Sequence, residues 1–254
     1  MRVCVVMPAF NEAEGIAGFL REIEEALRPV AISNFVVVDD ASSDATSKVL
    51  QEASRQGMAI TIIINANNCG HGASTLRALG TGLSSESEVV VAVDGDGQFT
   101  GTDIARLVNE MTRRIEVDVI EGARTARIDP LYRRLTSFAT RALVWSRCHS
   151  WPRDANTPLR VYRPSALARL LDAVPPDSSI PNLMISVLAR RWGMEIAEVS
   201  VTSLPRRGSV KAGSTWGAKT LHIPTRRYLV FCMRSTRQWF TSPLNESPYG
   251  TRQL

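Results

Sequence analysis

"EVVVAVDGDGQFTGTDI", residues 88–104, is an apolar run that ends in glycines and polar side chains. Its first part, residues 89–93, has the length and the β-branched content of a buried strand. Asp94, Asp96 and Gln98 follow at the tip of this strand. In open α/β sheets, ligands bind beyond the carboxyl ends of the strands. The stretch therefore predicts a strand that presents two carboxylates and an amide to a ligand.

The preceding chain alternates in the same way. Apolar runs fall at residues 3–7, 35–38 and 60–64, and segments with helical spacing fall at residues 14–27, 44–53 and 73–83. The second half is less regular, with strands predicted at residues 117–122 and 195–201 and helices at residues 131–146, 165–171 and 182–192. The alternation predicts an α/β fold with a mainly parallel, twisted, Rossmann-like sheet that is flanked by helices.

The composition is that of a folded protein. Of the 254 residues, 44% are hydrophobic and 22% are charged. No apolar run approaches the ~20 residues needed to span a bilayer, and the four cysteines lack metal-ligand spacing. We expect a cytoplasmic protein with one folded domain over residues 1–215 and a basic amphipathic segment over residues 216–254.

The charge is unevenly distributed. There are 30 Lys and Arg against 25 Asp and Glu, a formal net charge of +5, and the excess lies towards the carboxyl end. This asymmetry indicates an anionic partner, which could be phosphate, a lipid headgroup or nucleic acid. A solvated basic tail explains the same composition.

The two carboxylates after residue 93 suit a cation. Hard divalent cations such as Mg²⁺ or Mn²⁺ take oxygen ligands, usually one or two carboxylates together with phosphate oxygens of a substrate. Asp94 and Asp96 are one residue apart at a strand end, so we predict that they hold such a cation with a diphosphate. A turn that is merely rich in Asp and Gly is the alternative.

Polar residues also follow two earlier strands. Asp39 and Asp40 end the second apolar run, and adjacent like charges need hydrogen-bond donors, which a ribose or a base N–H would supply. Residues 65–72, "NANNCGHG", form a turn into a helix that lacks both the dinucleotide-binding and the P-loop signatures. Its glycines permit close backbone approach, and His71 is expected to be a turn residue rather than a catalyst.

The order "VVMPAFNEAEGI", "VVVDDASSDAT", "NANNCGHGAS" and "VVAVDGDGQF" resembles family 2 glycosyltransferases of the GT-A fold, and most of all the polyprenyl- or dolichyl-phosphate sugar synthases. The resemblance covers roughly residues 2–216. It implies a metal-dependent inverting transfer of a sugar from a UDP- or GDP-sugar donor to a lipid phosphate. It also implies that Mg²⁺ or Mn²⁺ contacts Asp94, Asp96 and Gln98.

The resemblance extends to individual residues through further matches at "EGARTA", "LYRRLTS", "RDANTPLRVYR" and "LPRRGSVKAGSTW". It implies catalytic roles for Asp96, Arg124, Arg133 and Asp154. It implies contact with the nucleotide sugar by Pro8, Phe10, Glu12, Asp39, Asp40, Asn67, Gly72, Asp94, Arg207 and Lys211. It implies contact with the acceptor by Arg133, Ser137, Thr157, Arg160 and Tyr162.

One departure from the family pattern bears on the acceptor. The Glu-Asp base motif of polysaccharide-forming relatives is missing from residues 177–188. A hydroxyl acceptor needs a general base, whereas a phosphate monoester is already an anion near neutral pH. A cluster of arginines without a base therefore favours a lipid phosphate. A hydroxyl acceptor with Asp154 as its base, a nucleotidyltransferase and a non-catalytic nucleotide-sugar binder remain as alternatives.

Two segments have the make-up of an interfacial membrane binder. Residues 131–146 combine arginines with Leu135, Phe138 and Trp145, and residues 226–240 mix arginines with aromatic residues. Ordinary packed helices are the alternative. We expect a nucleotide-sugar donor and a lipid-phosphate acceptor as partners, with peripheral contact to the cytoplasmic membrane face and no nucleic acid; the oligomeric state stays open.

Overall fold

A computed structural model describes residues 1–125, 131–208 and 226–241, without the side chains of residues 131–134, 226–229 and 231. The strands are β1 Arg2–Ala9, β2 Ile32–Asp39, β3 Ile60–Ile64, β4 Val89–Ala92, β5 Val119–Thr125, β6 Arg160–Tyr162 and β7 Ile196–Thr202. The helices are α1 Ile16–Leu27, α2 Thr46–Arg55, α3 His71–Leu83, α4 Gly101–Arg113, α5 Leu131–Cys148, α6 Pro164–Ala173, α7 Pro181–Arg191 and α8 Arg226–Thr241.

These strands form one sheet in the order β3-β2-β1-β4-β6-β5-β7. The pairs β1–β2, β2–β3, β1–β4 and β5–β7 are parallel, and β6 runs antiparallel to both of its neighbours. The mainly parallel sheet predicted from the alternation is confirmed. The antiparallel strand β6 was not predicted, because three residues are too few to show a period.

The sheet lies between two layers of helices. Along β1, Val3, Val5 and Met7 face one apolar cluster, and Cys4 and Val6 face the other. Helices α1, α2 and α4 cover the first face, while α3, α6 and α7 cover the second. The alternation along a strand thus gives both faces an apolar cover, as a sheet with helices on both sides requires.

Helix α4 was not predicted, although its sequence carries the signals of a helix. It buries Ile104, Leu107, Val108 and Met111, which follow helical spacing. The Thr100 hydroxyl accepts a hydrogen bond from the Asp103 backbone N–H at 3.0 Å and caps the helix. The chain therefore turns directly from the Asp94–Gln98 segment into a helix on the first face.

The strand ends converge at one edge of the sheet. Ala9 of β1 pairs with Asp39 of β2, and Asp39 pairs in turn with Ile64 of β3. Strands β4 and β5 both run antiparallel to β6, so their carboxyl ends lie at this same edge. The polar loops that follow these strands are therefore neighbours in space.

Among the described residues, no helix combines the length and the apolar character that crossing a membrane requires. The predicted division at residue 215 stays a prediction, since residues 209–225 and 242–254 lie outside the described chain.

Candidate active site

Two glycines shape the turn that carries Asp94 and Asp96. Gly95 lies so close to β1 that a Cβ atom there would be 3.0 Å from the Pro8 carbonyl oxygen. Gly97 has a φ of +66°, which strains any other residue. Gly95, between the carboxylates, thus lets the turn lie against β1, and Gly97 after them allows the positive φ that the turn requires.

Asp94 and Asp96 have unequal surroundings. His71 Nε2 lies 2.8 Å from Asp94 Oδ1. Burial opposes the charge of Asp94, but His71, with Arg124 and Arg206 further away, outweighs it and lowers the pKa of Asp94. Burial, and then the charge of Asp94, raise the pKa of Asp96 to about 7. The Asp96 carboxylate is therefore the one whose charge is poorly compensated.

This pair fits a divalent cation by its chemistry. Asp96 Oδ1 accepts the backbone N–H of Gln98 at 3.1 Å, and a cation would supply the positive charge that the raised pKa shows to be lacking. In the described part of the chain, no group of three or more His, Cys, Asp or Glu residues could hold a metal. Two carboxylates suffice for Mg²⁺ or Mn²⁺ when a diphosphate completes the coordination.

The segment after β7, residues 203–208, lies across this turn. The Leu204 N–H donates to the Gln98 carbonyl at 2.8 Å, and the Arg207 N–H donates to the Asp96 carbonyl at 2.9 Å. Gln98 Nε2 donates to the Leu204 carbonyl at 3.2 Å. The amide oxygen of Gln98 is therefore the atom that remains for the predicted contact with a metal. Residues 203–208 are thus anchored to Asp96 and Gln98 by backbone hydrogen bonds.

Arg206 is the basic residue that faces the carboxylates. Its guanidinium pairs with Glu12, and the Nε–Oε2 distance is 3.2 Å. Burial raises the pKa of Glu12 to about 8; Arg206 opposes this shift, and the charges of Asp96 and Asp94 add to it. Arg206 was not among the predicted site residues, and its only signal was its place beside Arg207.

Arg207 points the other way, towards α1, and its predicted contact with the nucleotide sugar stays a prediction. Its guanidinium pairs with Glu22, and Nε donates to the Gly97 carbonyl at 3.3 Å. It also lies 5.1 Å from the centre of the Phe19 ring. Successive side chains of an extended segment point to opposite sides, so only one arginine of the pair can face the site.

Asp40 fixes the loop that enters α3. Its carboxylate accepts from the Asn65 side-chain amide at 2.8 Å, from the Cys69 N–H at 2.8 Å and from the Gly70 N–H at 2.9 Å. Asp40 therefore receives from the chain itself the donors that the sequence analysis expected from a nucleoside. Contact of Asp40 with the nucleoside stays a prediction.

The remaining predicted donor contacts lie around the same edge. Asp39 accepts from the Ser42 N–H at 2.9 Å and from the Ser47 hydroxyl. Pro8 is buried in β1, Phe10 is half-buried beyond it, and Asn67 is exposed. Their contact with the nucleoside also stays a prediction.

Gly72 has a packing role. A Cβ atom at Gly72 would lie 2.1 Å from the Ser178 carbonyl oxygen. The close approach that the sequence predicted is therefore made to the segment before α7. This packing is a reason for a glycine here that the sequence did not indicate, and contact of Gly72 with the nucleotide sugar stays a prediction.

Arg124 and Asp154 were both predicted, and the structure brings them together. Arg124 Nε and Nη2 donate to the two carboxylate oxygens of Asp154 at 2.6 and 3.0 Å. Arg124 Nη2 also lies 3.3 Å from the Asn156 carbonyl. Because a two-point ion pair stabilises the carboxylate, Asp154 is poorly placed to take a proton from an acceptor hydroxyl.

Arg160 is wholly buried, which corrects its predicted contact with the acceptor. Its Nη1 lies 3.0 Å from Glu121 Oε1, and the rest of its guanidinium donates to the carbonyls of Thr157 and Ala155 at 3.1 and 3.0 Å. The strand β6 directs this side chain into the protein. Arg160 therefore braces residues 155–157 and takes no direct part in binding.

Tyr162 and Thr157 are corrected for the same reason. Both have no exposed surface, and burial raises the pKa of Tyr162 to about 12. Ser137 is half-buried on α5. The side chain of Arg133 and all of Lys211 lie outside the described residues, so their roles stay predictions.

Helix α5 exposes an apolar face. Leu135, Phe138 and Trp145 are 60%, 60% and 48% exposed, respectively. Trp151 packs on Phe138 with 5.5 Å between ring centroids, and the Arg141 guanidinium lies 5.0 Å from the Trp151 ring. We call Leu135, Phe138 and Trp145 of α5, together with Trp151 just after the helix, the aromatic face of α5. The packed helix considered as an alternative would bury these side chains, whereas here they are exposed.

Comparison with known sequences gives a family match. Residues 4–166 match the profile of glycosyl transferase family 2. An undecaprenyl-phosphate 4-deoxy-4-formamido-L-arabinose transferase from Pseudomonas paraeruginosa is 29% identical over 236 residues, which cover 92% of this chain and 66% of that protein. The chain thus spans just under two thirds of the length of this relative.

Two solved structures share the fold. A mannosyltransferase from Pyrobaculum calidifontis in complex with GDP-Man and Mn²⁺ has a TM-score of 0.57 at 22% identity, covering 81% of this chain and 58% of that one. A glucosyl-3-phosphoglycerate synthase from Mycobacterium tuberculosis, in complex with Mn²⁺, UDP and phosphoglyceric acid, has a TM-score of 0.62 at 15% identity, covering 94% and 76%. These likenesses confirm the predicted GT-A fold.

Proposed function

This chain belongs to glycosyl transferase family 2, and from that premise we propose that it is a metal-dependent inverting glycosyltransferase. It transfers a sugar from a UDP- or GDP-sugar to a polyprenyl phosphate. The observation that carries the proposal is the pair Asp94 and Asp96 at the end of β4, where burial and mutual repulsion leave Asp96 short of a positive charge.

The residues around this pair suit a diphosphate that leaves with the nucleoside. A Mg²⁺ or Mn²⁺ ion on Asp94 and Asp96, with the Gln98 amide oxygen as a further ligand, would neutralise the charge that develops on the diphosphate. Arg206 stands beside these carboxylates through its pair with Glu12. An arginine in this position adds charge-assisted hydrogen bonds to phosphate oxygens, so we assign it to the donor diphosphate.

The acceptor class is proposed from the ion pairs of two carboxylates, Glu12 and Asp154. Glu12 is held by Arg206, and both oxygens of Asp154 are held by Arg124. The oxygens of both carboxylates are thus engaged by arginines, and a phosphate monoester acceptor needs no general base. The printed name of the Pseudomonas relative, an undecaprenyl-phosphate transferase, supports the same acceptor class.

A donor panel tests the proposal. The full chain is incubated with radiolabelled UDP- and GDP-sugars, Mn²⁺ or Mg²⁺, and either undecaprenyl phosphate or free monosaccharides as acceptors. We expect label in the lipid fraction and loss of transfer with EDTA. Label in the free sugars would favour the hydroxyl acceptor. Formation of a nucleoside triphosphate and a labelled sugar phosphate when pyrophosphate is added would indicate a nucleotidyltransferase, because that is the reverse of its reaction. Donor binding without any transfer would leave a nucleotide-sugar binder.

We also propose that the aromatic face of α5 contacts the membrane that carries the acceptor. Exposed aromatic residues beside arginine are typical of interfacial helices. We expect Phe138→Ser with Trp145→Ser to reduce co-sedimentation with anionic liposomes about tenfold. Ile115→Ser removes another highly exposed apolar side chain, 82% exposed outside this face, and should not change it. Equal binding by both variants would refute the contact.

A further inference from the structure

His71 is the first residue of α3 and has no role in the proposed chemistry so far. Its Nε2 lies 2.8 Å from Asp94 Oδ1. An ionised carboxylate only accepts hydrogen bonds, so the imidazole donates this one. Residues 94–98 form the turn proposed to bind the metal, and its other described partners are its own backbone, the Pro8 carbonyl of β1 and residues 203–208. His71 therefore ties α3 to the metal-binding turn.

The imidazole is held at a fixed place by its neighbours in the chain. The Asp40 carboxylate accepts the N–H groups of Cys69 and Gly70, the two residues before it. Gly72, the residue after it, packs against the Ser178 carbonyl. The Thr75 hydroxyl donates to the His71 carbonyl at 2.8 Å. The backbone on both sides of His71 is thus anchored, although its side chain is about half exposed.

A carboxylate in this position needs such a partner. Asp94 and Asp96 lie one residue apart, and like charges at close range repel each other. Without a donor, the Asp94 side chain would gain from rotating away from Asp96 when no cation is present. A hydrogen bond to one oxygen of Asp94 fixes the plane of the carboxylate and leaves the other oxygen available to a cation. Hydrogen-bonded partners of metal ligands act in this way in many metal sites.

We propose that His71 is a positioning residue that orients Asp94 for the cation of the donor complex, with Asp40 setting the reach of His71 through the loop before α3. This inference rests on the proposed function, because it assumes that Asp94 and Asp96 bind the cation. It gives Asp40 a role that needs no contact with the nucleoside.

The test is the affinity of the full chain for Mn²⁺, followed by electron paramagnetic resonance with Mn²⁺ alone and with Mn²⁺ and UDP. His71→Phe keeps a planar ring and removes the donor, and we expect the Kd for Mn²⁺ to rise about 10- to 100-fold. His71→Gln restores an N–H at a similar reach, and we expect a Kd within about threefold of wild type.

Two controls accompany these variants. His149→Asn removes a histidine outside the site; asparagine tolerates the φ of +52° at that position, and the Kd should not change. Thermal unfolding verifies that His71→Phe is folded. If it is not, His71→Asn, whose amide is too short to reach Asp94, carries the same expectation.

The outcomes separate this inference from the proposed function. A His71→Phe protein that binds Mn²⁺ as tightly as wild type, or a His71→Gln protein as weak as His71→Phe, overturns the positioning role and leaves the metal site intact. A wild-type protein that binds no Mn²⁺, with or without UDP, overturns the proposed function itself. Once the donor panel has identified the donor and the acceptor, transfer can be assayed, and His71→Phe should raise the KM for Mn²⁺ more than it lowers kcat at saturating Mn²⁺.

Discussion

Asp96 has the less compensated charge of the two aspartates at the tip of β4, because the hydrogen bond from His71 goes to Asp94. We expect Asp96→Asn to lower kcat at least about 100-fold, since it removes a ligand of the cation whose charge stabilises the departing diphosphate. Single-turnover transfer with labelled donor measures this effect. Glu86→Gln removes a carboxylate that is 86% exposed and should leave kcat unchanged. Full activity in Asp96→Asn would contradict the metal site.

The adjacent arginines 206 and 207 allow a matched comparison. Arg206 faces Glu12 and the two aspartates, whereas Arg207 lies on α1 against Glu22. We expect Arg206→Ala to lower kcat/KM for the donor about 100-fold, because it removes a charge-assisted contact to phosphate. Arg207→Ala should keep kcat/KM within a few-fold and lower the unfolding free energy by about 1 kcal/mol. The opposite ranking would favour Arg207, the arginine predicted from the sequence, as the donor contact.

At the scale of single residues, the sequence indicated the chemistry better than the direction of the side chains. Asp94 and Asp96 could be located because glycines and a strand surround them. The choice between two neighbouring arginines could not be made, because it depends on how residues 203–208 approach the turn. Arg160 was misassigned for a related reason, since the sequence motif gives no sign that this side chain is buried in an ion pair with Glu121.

At the scale of elements, α3 offers a direct test of its packing. Gly72→Ala places a Cβ atom 2.1 Å from the Ser178 carbonyl, so we expect it to lower the unfolding free energy by about 1–3 kcal/mol. Gly80 lies in the same helix with nothing within 4 Å of its added Cβ. Gly80→Ala should raise the unfolding free energy by roughly 0.5–1 kcal/mol. Urea unfolding measures both, and equal effects would contradict the described contact of α3.

The elements themselves were largely predictable, with instructive exceptions. The apolar runs of β1 to β4 and the helical spacing of α1 to α3 are strong local signals, and the structure confirms them. Helix α4 carries a similar signal and was overlooked. Strand β6 has none, because its three residues form a strand only when β4 and β5 supply partners on both sides.

At the scale of the whole molecule, a buried ion cluster joins β5 and β6 of the sheet to helix α7. Glu121 of β5 contacts Arg160 of β6 at 3.0 Å and Arg190 of α7 at 2.7 Å. Removing one member of such a cluster leaves buried charge uncompensated. We expect Glu121→Gln to lower the unfolding free energy at pH 7 by roughly 3–5 kcal/mol, measured by urea unfolding.

The same cluster predicts a pH dependence. Burial opposes the charge of Glu121, but Arg160 and Arg190 outweigh it and hold the pKa of Glu121 below its ordinary value of 4.5. The stabilisation is therefore complete above pH 4.5 and is lost as the pH falls through the lower pKa of the folded state. The difference between wild type and Glu121→Gln should shrink in that acidic range. A difference that stays constant down to pH 3 would contradict this assignment.

The sequence by itself determined the fold class, the edge of the sheet where ligands bind and the carboxylate pair at that edge, because hydrophobic period and strand-end residues are local properties of the chain. The tertiary structure decided which side chains meet there. It turned Arg206 rather than Arg207 towards the carboxylates, paired Arg124 with Asp154, buried Arg160 and brought His71 to Asp94. Such contacts join residues tens of positions apart, so their geometry depends on how the strands and loops pack and leaves no local pattern.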